Sequence, residues 1–242
     1  MHDDRPTAAR IAIIGVGLIG GSLGLAAREM IPGIESVIGF GSRQATLDKA
    51  LQLGAITEIA GSIEEAVRDA EIIVLAGPVS TLADGARAAL AAAGPDAVVT
   101  DVGSTKRQIV SAIDDARFIG GHPIAGAETA GVEHARADLF QDATWFVTPT
   151  EQTTGMGLER LLRFIGALGA RPHMLDAETH DRLLADISHL PHVLANALVT
   201  QAAQSLNDSD RSVSVFGPSF RDATRVAGAN SAIWRDIYLS NH

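Results

Sequence analysis

The sequence predicts an α/β fold, a doubly wound and mostly parallel sheet followed by a smaller all-helical segment. Three observations predict it. Short apolar runs alternate with helical stretches through residues 1–175, the first run ends in a glycine-rich turn, and after Asp176 the strand signal stops while an apolar helical stripe continues. Runs that are apolar throughout, not merely at every second position, suit strands buried on both faces by crossover helices.

The elements follow in order. Ile11–Gly15 reads as a strand and Ile19–Met30 as a helix, then Ser36–Phe40 as a strand and Ala45–Leu53 as a helix. Ile63–Ala70 is a predicted helix, Glu71–Ala76 a strand, Val79–Ala93 a helix and Ala97–Asp101 a strand. Thr105–Ala116 reads as a helix, Arg117–Gly120 and Thr144–Thr148 as strands, Met156–Leu168 as a helix and Arg171–Leu175 as a short last strand. The expected domains are therefore 1–175, and a helical remainder, 176–242.

In that remainder Thr179–Leu206 reads as one long helix, with a stripe through Leu183, Leu184, Ile187, Leu190, Leu194 and Leu198. Pro191 lies inside it and predicts a kink, because proline lacks a backbone donor and clashes with the preceding turn. Val213–Tyr238 reads as shorter helices broken at Gly217-Pro218. A segment of this size buries little surface alone. Its stripe must face the first domain, a second copy of the chain, or both, which favours a homodimer.

Composition narrows the function. Hydrophobic residues make up 46% and charged residues 20%, globular values, and aromatics only 4%, so the core is mostly aliphatic. The net charge of −10 disfavours nucleic acid as a partner. No cysteine is present, which excludes disulfides, thiolate metal sites and cysteine nucleophiles, and makes a cytoplasmic setting the simplest expectation. Ile11–Ala27 follows Arg5 and Arg10 and has the look of a leader or a short membrane span. Gly15, Gly17, Gly20, Gly21 and Gly24 interrupt it, and strand, turn and helix account for it better, so no membrane partner is expected.

The turn Gly15-Val16-Gly17-Leu18-Ile19-Gly20 sits between strand and helix in a βαβ unit, the setting in which Gly-x-Gly-x-x-Gly places backbone N–H groups against a pyrophosphate. This makes the fold Rossmann-type and the expected cofactor a nicotinamide dinucleotide, bound by Gly15, Gly17, Leu18, Ile19 and Gly20. An acidic residue at the end of the second strand would bind the ribose of NAD. Here Gly41, Ser42 and Arg43 follow Phe40. With no carboxylate to repel a 2′-phosphate, and Ser42 and Arg43 to bind one, NADP is expected over NAD.

Three further segments carry candidate chemistry: Asp101-Val102-Gly103-Ser104-Thr105-Lys106, then Gly120-Gly121-His122-Pro123 running on to Glu128, and Ser188-His189-Leu190-Pro191-His192. The first two fall at the carboxyl edge of the sheet, where open α/β folds bind ligands. His189 and His192 share a helix face, but two nitrogens without a third ligand argue against a metal site. With Arg221-Asp222-Ala223-Thr224-Arg225 and Ile233-Trp234-Arg235-Asp236, these segments occur in the order seen in the prephenate/arogenate dehydrogenases of tyrosine biosynthesis, which the chain resembles from Ile11 onward.

The resemblance implies an NAD(P)-dependent enzyme that oxidatively decarboxylates a cyclohexadienyl acid, prephenate or arogenate, to 4-hydroxyphenylpyruvate or tyrosine, and that dimerises through its helical domain. It implies His122 as the base taking the ring hydroxyl's proton, and Ser104, also beside the cofactor, holding that hydroxyl. Arg225 would be a buried carboxylate anchor, with His189, His192 and Glu128 around the substrate. Trp234 reads as core. Members of the family commonly carry an acidic residue where Gly41 stands, and continue with more helices beyond the position of His242, so a short dimerisation domain is expected. A dehydrogenase of an amino-substituted prephenate is the close alternative. A non-catalytic NADP-binding sensor is the alternative of another class.

Overall fold

The computed structural model describes residues 8–126, 129–207 and 216–241. One eight-stranded sheet forms its centre, in the order β3-β2-β1-β4-β5-β6-β7-β8. Its strands are β1 (Arg10–Ile14), β2 (Ser36–Phe40), β3 (Glu58–Ile59), β4 (Ile72–Leu75), β5 (Val98–Asp101), β6 (Phe118–Pro123), β7 (Thr144–Thr148) and β8 (Arg171–Met174). Between them run α1 (Leu18–Met30), α2 (Gln44–Gln52), α3 (Ile63–Val67), α4 (Val79–Ala92), α5 (Arg107–Ala112) and α6 (Gly155–Ala167). The first six strands pair in parallel.

The apolar runs split cleanly between two cores. Ile11, Ile13, Ile72, Val74 and Val98 face one side, packed with Leu23 and Ala27 of α1 and Leu161 and Phe164 of α6. Ala12, Ile73, Leu75 and Val99 face the other, with Val67, Leu82, Ala86 and Ile109 of α3, α4 and α5. Successive strand side chains point to opposite faces, so burial on both requires every position to be apolar.

Apart from element ends that shift by up to three residues, the structure departs from the sequence reading in four places. Strand β3 is only two residues long and gave no apolar run. β7 pairs antiparallel to β6, not as another parallel unit. A parallel return needs a crossover, usually a helix. Residues 124–143 hold only the 3₁₀ turns Val132–His134 and Ala137–Phe140 among those described, and these pack beneath α1. Helix α5 starts at Arg107, not Thr105, and stops at Ala112.

The fourth departure lies in the tail, which comprises α7 (Ala177–Leu184), a π-helical turn (Ala185–His189), α8 (Leu190–Asn207), α9 (Pro218–Thr224), a 3₁₀ turn (Arg225–Gly228) and α10 (Ser231–Ser240). The expected kink at Pro191 takes the form of this wide turn just before it. Proline cannot donate to the carbonyl four residues back, and a π turn relieves the ladder there. Residues 213–215 of the expected tail helices lie outside the described residues. Among the described residues no helix is long and apolar enough to cross a membrane.

The tail docks on the first domain through α10. Asp236 accepts from Ser80 of α4 (2.7 Å), and Ser240 pairs with the buried Thr105 (2.9 Å). By contrast Ile187, Leu190, Val193, Leu194 and Leu198 are exposed.

At Gly24 of α1 an added Cβ would lie 1.9 Å from the Ala55 carbonyl oxygen. Gly24→Ala is expected to lower stability by about 1 to 3 kcal/mol, because backbone on both sides must give way. The urea midpoint measures it, and an unchanged midpoint would show that α1 is free to shift.

Candidate active site

The glycine turn is built for close approach. Gly15 has φ +103°, and a Cβ there would meet Ala76 and Gly77 after β4 at 2.7–2.9 Å. A Cβ on Gly20 would meet the Gly15 carbonyl oxygen at 2.1 Å. Gly17 differs, since a Cβ there meets nothing within 4 Å. It is the N-cap of α1, with no capping side chain and no acidic residue in the first turn. The N–H groups of Leu18, Ile19 and Gly20 thus stand at an uncapped, open helix N-terminus, which suits a pyrophosphate. At the end of β2, Ser42 and Arg43 are exposed, and Gly41 puts no carboxylate between them and the turn. The Ala76-Gly77 wall was not foreseen, because its role is contact with Gly15 and not a motif.

The loop after β5 is held by a buried ion pair. Lys106 and Asp101 are both fully buried and bonded to each other. Asp101 also accepts from the N–H groups of Gly103 (2.8 Å) and Gly121 (3.1 Å), tying the loop to β6 one residue before His122. Burial pulls the Lys106 ammonium below the usual lysine range, and the Asp101 carboxylate opposes that pull.

The first turn of α5 is capped from outside. Asp181 of α7 accepts from the N–H groups of Lys106 (2.7 Å) and Arg107 (2.9 Å). Ser104 is therefore not the helix cap. It is half-buried, and its hydroxyl has no hydrogen bond to a described residue.

His122 lies near the carboxyl end of β6, buried, with Nδ1 2.8 Å from Nε2 of His180. His180 is fully buried, and its Nδ1 lies 2.8 Å from Oδ1 of Asp181. Burial holds His122 well below the usual histidine range, helped by the nearby His180, Lys106 and His189. Burial pushes the Asp181 carboxyl up, but hydrogen bonds from His180 and the two α5 N–H groups outweigh it, and the carboxyl stays below its usual range. Held below its usual range, the His122 imidazole is neutral at neutral pH, which leaves one ring nitrogen with a lone pair.

The helical tail contributes an aromatic cluster. His192 stacks on Trp234 with centroids 3.6 Å apart and planes 5° apart, and its Nδ1 lies 2.6 Å from the Tyr238 hydroxyl. His189 meets Trp234 edge-on at 5.9 Å, and Asn241 bridges the His189 ring (3.2 Å) and the Asp181 carbonyl (2.8 Å). Burial lowers both His189 and His192 from the usual histidine range. Trp234 is only half-buried and belongs with the histidines, not in the core. Arg225 is exposed, where a buried cation was expected; it opens the 3₁₀ turn that packs on α8. Glu128 lies outside the described residues.

The family description "Prephenate dehydrogenase, nucleotide-binding domain" matches residues 23–174, and "Prephenate dehydrogenase, dimerization domain" matches 176–242. A prephenate dehydrogenase of Bacillus subtilis is 35% identical over 237 residues, covering 96% of this chain and 64% of the relative, so this chain spans less than two thirds of that protein. A cyclohexadienyl dehydrogenase of Zymomonas mobilis is 33% identical over 236 residues, covering 96% of this chain and 80% of the relative. The crystal structure of prephenate dehydrogenase from A. aeolicus with hydroxyphenyl propionate and NAD+ superposes with a TM-score of 0.86 at 33% identity, covering 96% of this chain and 82% of that one.

Removing one member of the buried ion pair leaves an unpaired charge in the core. Lys106→Met is expected to destabilise the fold by about 3 to 5 kcal/mol, with partial recovery when Asp101→Asn is added. Denaturant unfolding of both variants measures it. Equal stability of Lys106→Met and the parent would remove the pair from the scaffold.

Proposed function

This chain belongs to the prephenate dehydrogenase family, and on that premise we propose that it oxidatively decarboxylates prephenate or arogenate, with NADP as hydride acceptor, giving 4-hydroxyphenylpyruvate or tyrosine. The observation that carries this reading is the His122 imidazole, buried at the carboxyl edge of the sheet and tethered through one ring nitrogen only among the described residues.

The chemistry a bound nicotinamide supplies is acceptance of hydride from the carbon bearing the ring hydroxyl, with loss of carbon dioxide and aromatisation. The N–H groups around Gly15, Gly17, Leu18, Ile19 and Gly20 hold the pyrophosphate. Ser42 and Arg43, exposed beyond β2, hold a 2′-phosphate, and Gly41 supplies no repelling charge. Nε2 of His122 takes the proton of the ring hydroxyl as that carbon becomes carbonyl-like. The Ser104 hydroxyl, without a described partner, shares that hydroxyl and keeps it in line. Arg225 pairs with a substrate carboxylate, and His189 and His192 line the pocket from the tail.

A homodimer completes the proposal. The exposed stripe of Ile187, Leu190, Leu194 and Leu198 lies within the segment matching the dimerization domain. An apolar face of this kind suits a second copy of the chain.

The test is a matrix of prephenate and arogenate against NADP and NAD, read at the reduced-nicotinamide absorbance. Growth of the band with either substrate, and higher kcat/KM with NADP, is expected. Silence in all four combinations overturns the activity, and a clear NAD preference overturns the cofactor assignment. His122→Asn should lower kcat by a factor on the order of 10² to 10⁴ with cofactor affinity held.

Arg225→Ala should act differently, raising KM for the substrate far more than it lowers kcat. Steady-state kinetics at saturating cofactor measure both. An unchanged KM would remove Arg225 as the anchor.

A further inference from the structure

We infer that His180 and Asp181 are positioning residues that set the tautomer of His122, leaving its Nε2 as the proton acceptor. This rests on the reading of His122 as the base, and it names two residues that the sequence did not single out.

Donors and acceptors along the Asp181–His180–His122 contacts fix where the protons sit. An ionised carboxylate only accepts. Asp181 already accepts from the Lys106 and Arg107 N–H groups, and Nδ1 of His180 lies 2.8 Å from its Oδ1. That nitrogen of His180 must therefore carry hydrogen. In a neutral ring the opposite nitrogen, Nε2, is then a lone pair. It faces Nδ1 of His122 at 2.8 Å, and two lone pairs cannot share that distance, so Nδ1 of His122 must donate. A neutral His122 with hydrogen on Nδ1 has its lone pair on Nε2. Protonation of His180 would invert the sequence: its Nε2 would donate, and Nε2 of His122 would carry hydrogen and be useless as a base.

The surroundings favour a neutral His122. Among the described residues, the ionisable groups near His122 are His180 and Asp181 of α7, Lys106 at the start of α5, Asp101 of β5 and His189 of the π turn. The Lys106 cation, paired with Asp101, disfavours a second positive charge on His122. His122 is buried, which penalises charge on its ring further. The same carboxylate caps α5, so the element that sets the proton also fixes the loop bearing Ser104.

The experiment reads the rings directly. In protein labelled with ¹⁵N-histidine, ring-nitrogen shifts are recorded at pH 8 without substrate, assigned with His122→Asn and His180→Phe. His122 is expected to carry hydrogen on Nδ1 and none on Nε2. In His180→Phe, which keeps the Asp181 cap of α5, that preference should fade and kcat should drop about tenfold or more with KM held. Hydrogen on Nε2 of His122 in the parent protein, or an unchanged tautomer in His180→Phe, overturns the inference. The tautomer is measured in the resting protein, so it stands apart from the proposed activity. A chain with hydrogen on Nδ1 of His122 but no turnover would support the relay and count against the dehydrogenase reading alone.

Discussion

The site depends on one buried ion pair. Asp101, at the end of β5, binds the Lys106 ammonium and the N–H groups of Gly103 and Gly121. Those contacts close the loop between β5 and α5 on itself and fasten it to β6. Removing two charges from water costs several kcal/mol per ion, and only a full set of hydrogen bonds offsets it. Here the offsetting donors are the backbone groups that fix where Ser104 and His122 stand. The cost of burying the pair is thus offset in the same place where positional accuracy is needed.

A second carboxylate links the halves. Asp181 belongs to the helical tail, yet it completes the first turn of α5 in the sheet domain. A helix of six residues is too short to be stable by its own hydrogen bonds. The tail therefore does more than cover a surface: α5 and its loop are finished by a residue 74 positions away from Arg107. The contacts of α10 with Ser80 and Thr105 reinforce that junction.

Much of the fold was legible in the sequence, for a definable reason. Apolar runs such as Ile72–Leu75 are constrained at every position by the two cores they separate, and the Gly15 turn is constrained by backbone approach. Both leave local traces. β3 is too short to leave one, and the direction of β7 is set by the path of residues 124–143, which carries no periodic signal. The site divides in the same way. His122, Ser104 and the glycines sit in local patterns. Asp181 and His180 act on residues 58 to 75 positions distant, and nothing in their neighbours marks them. Trp234 reads as core by residue type alone, whereas its face is taken by the ring of His192.

The wide turn before Pro191 has a consequence of its own. Each residue of an α-helix advances about 100° around the axis, so the additional residue in Ala185–His189 sets α7 and α8 out of phase with each other. His180 and His189 both reach the neighbourhood of Asn241 and Asp181 across that offset. What is constrained in this stretch is the number of residues more than their kinds. A single deletion would rotate the whole of α8, carrying His192 off Trp234 and swinging the apolar stripe to a new bearing, while leaving every side chain of that helix chemically unaltered.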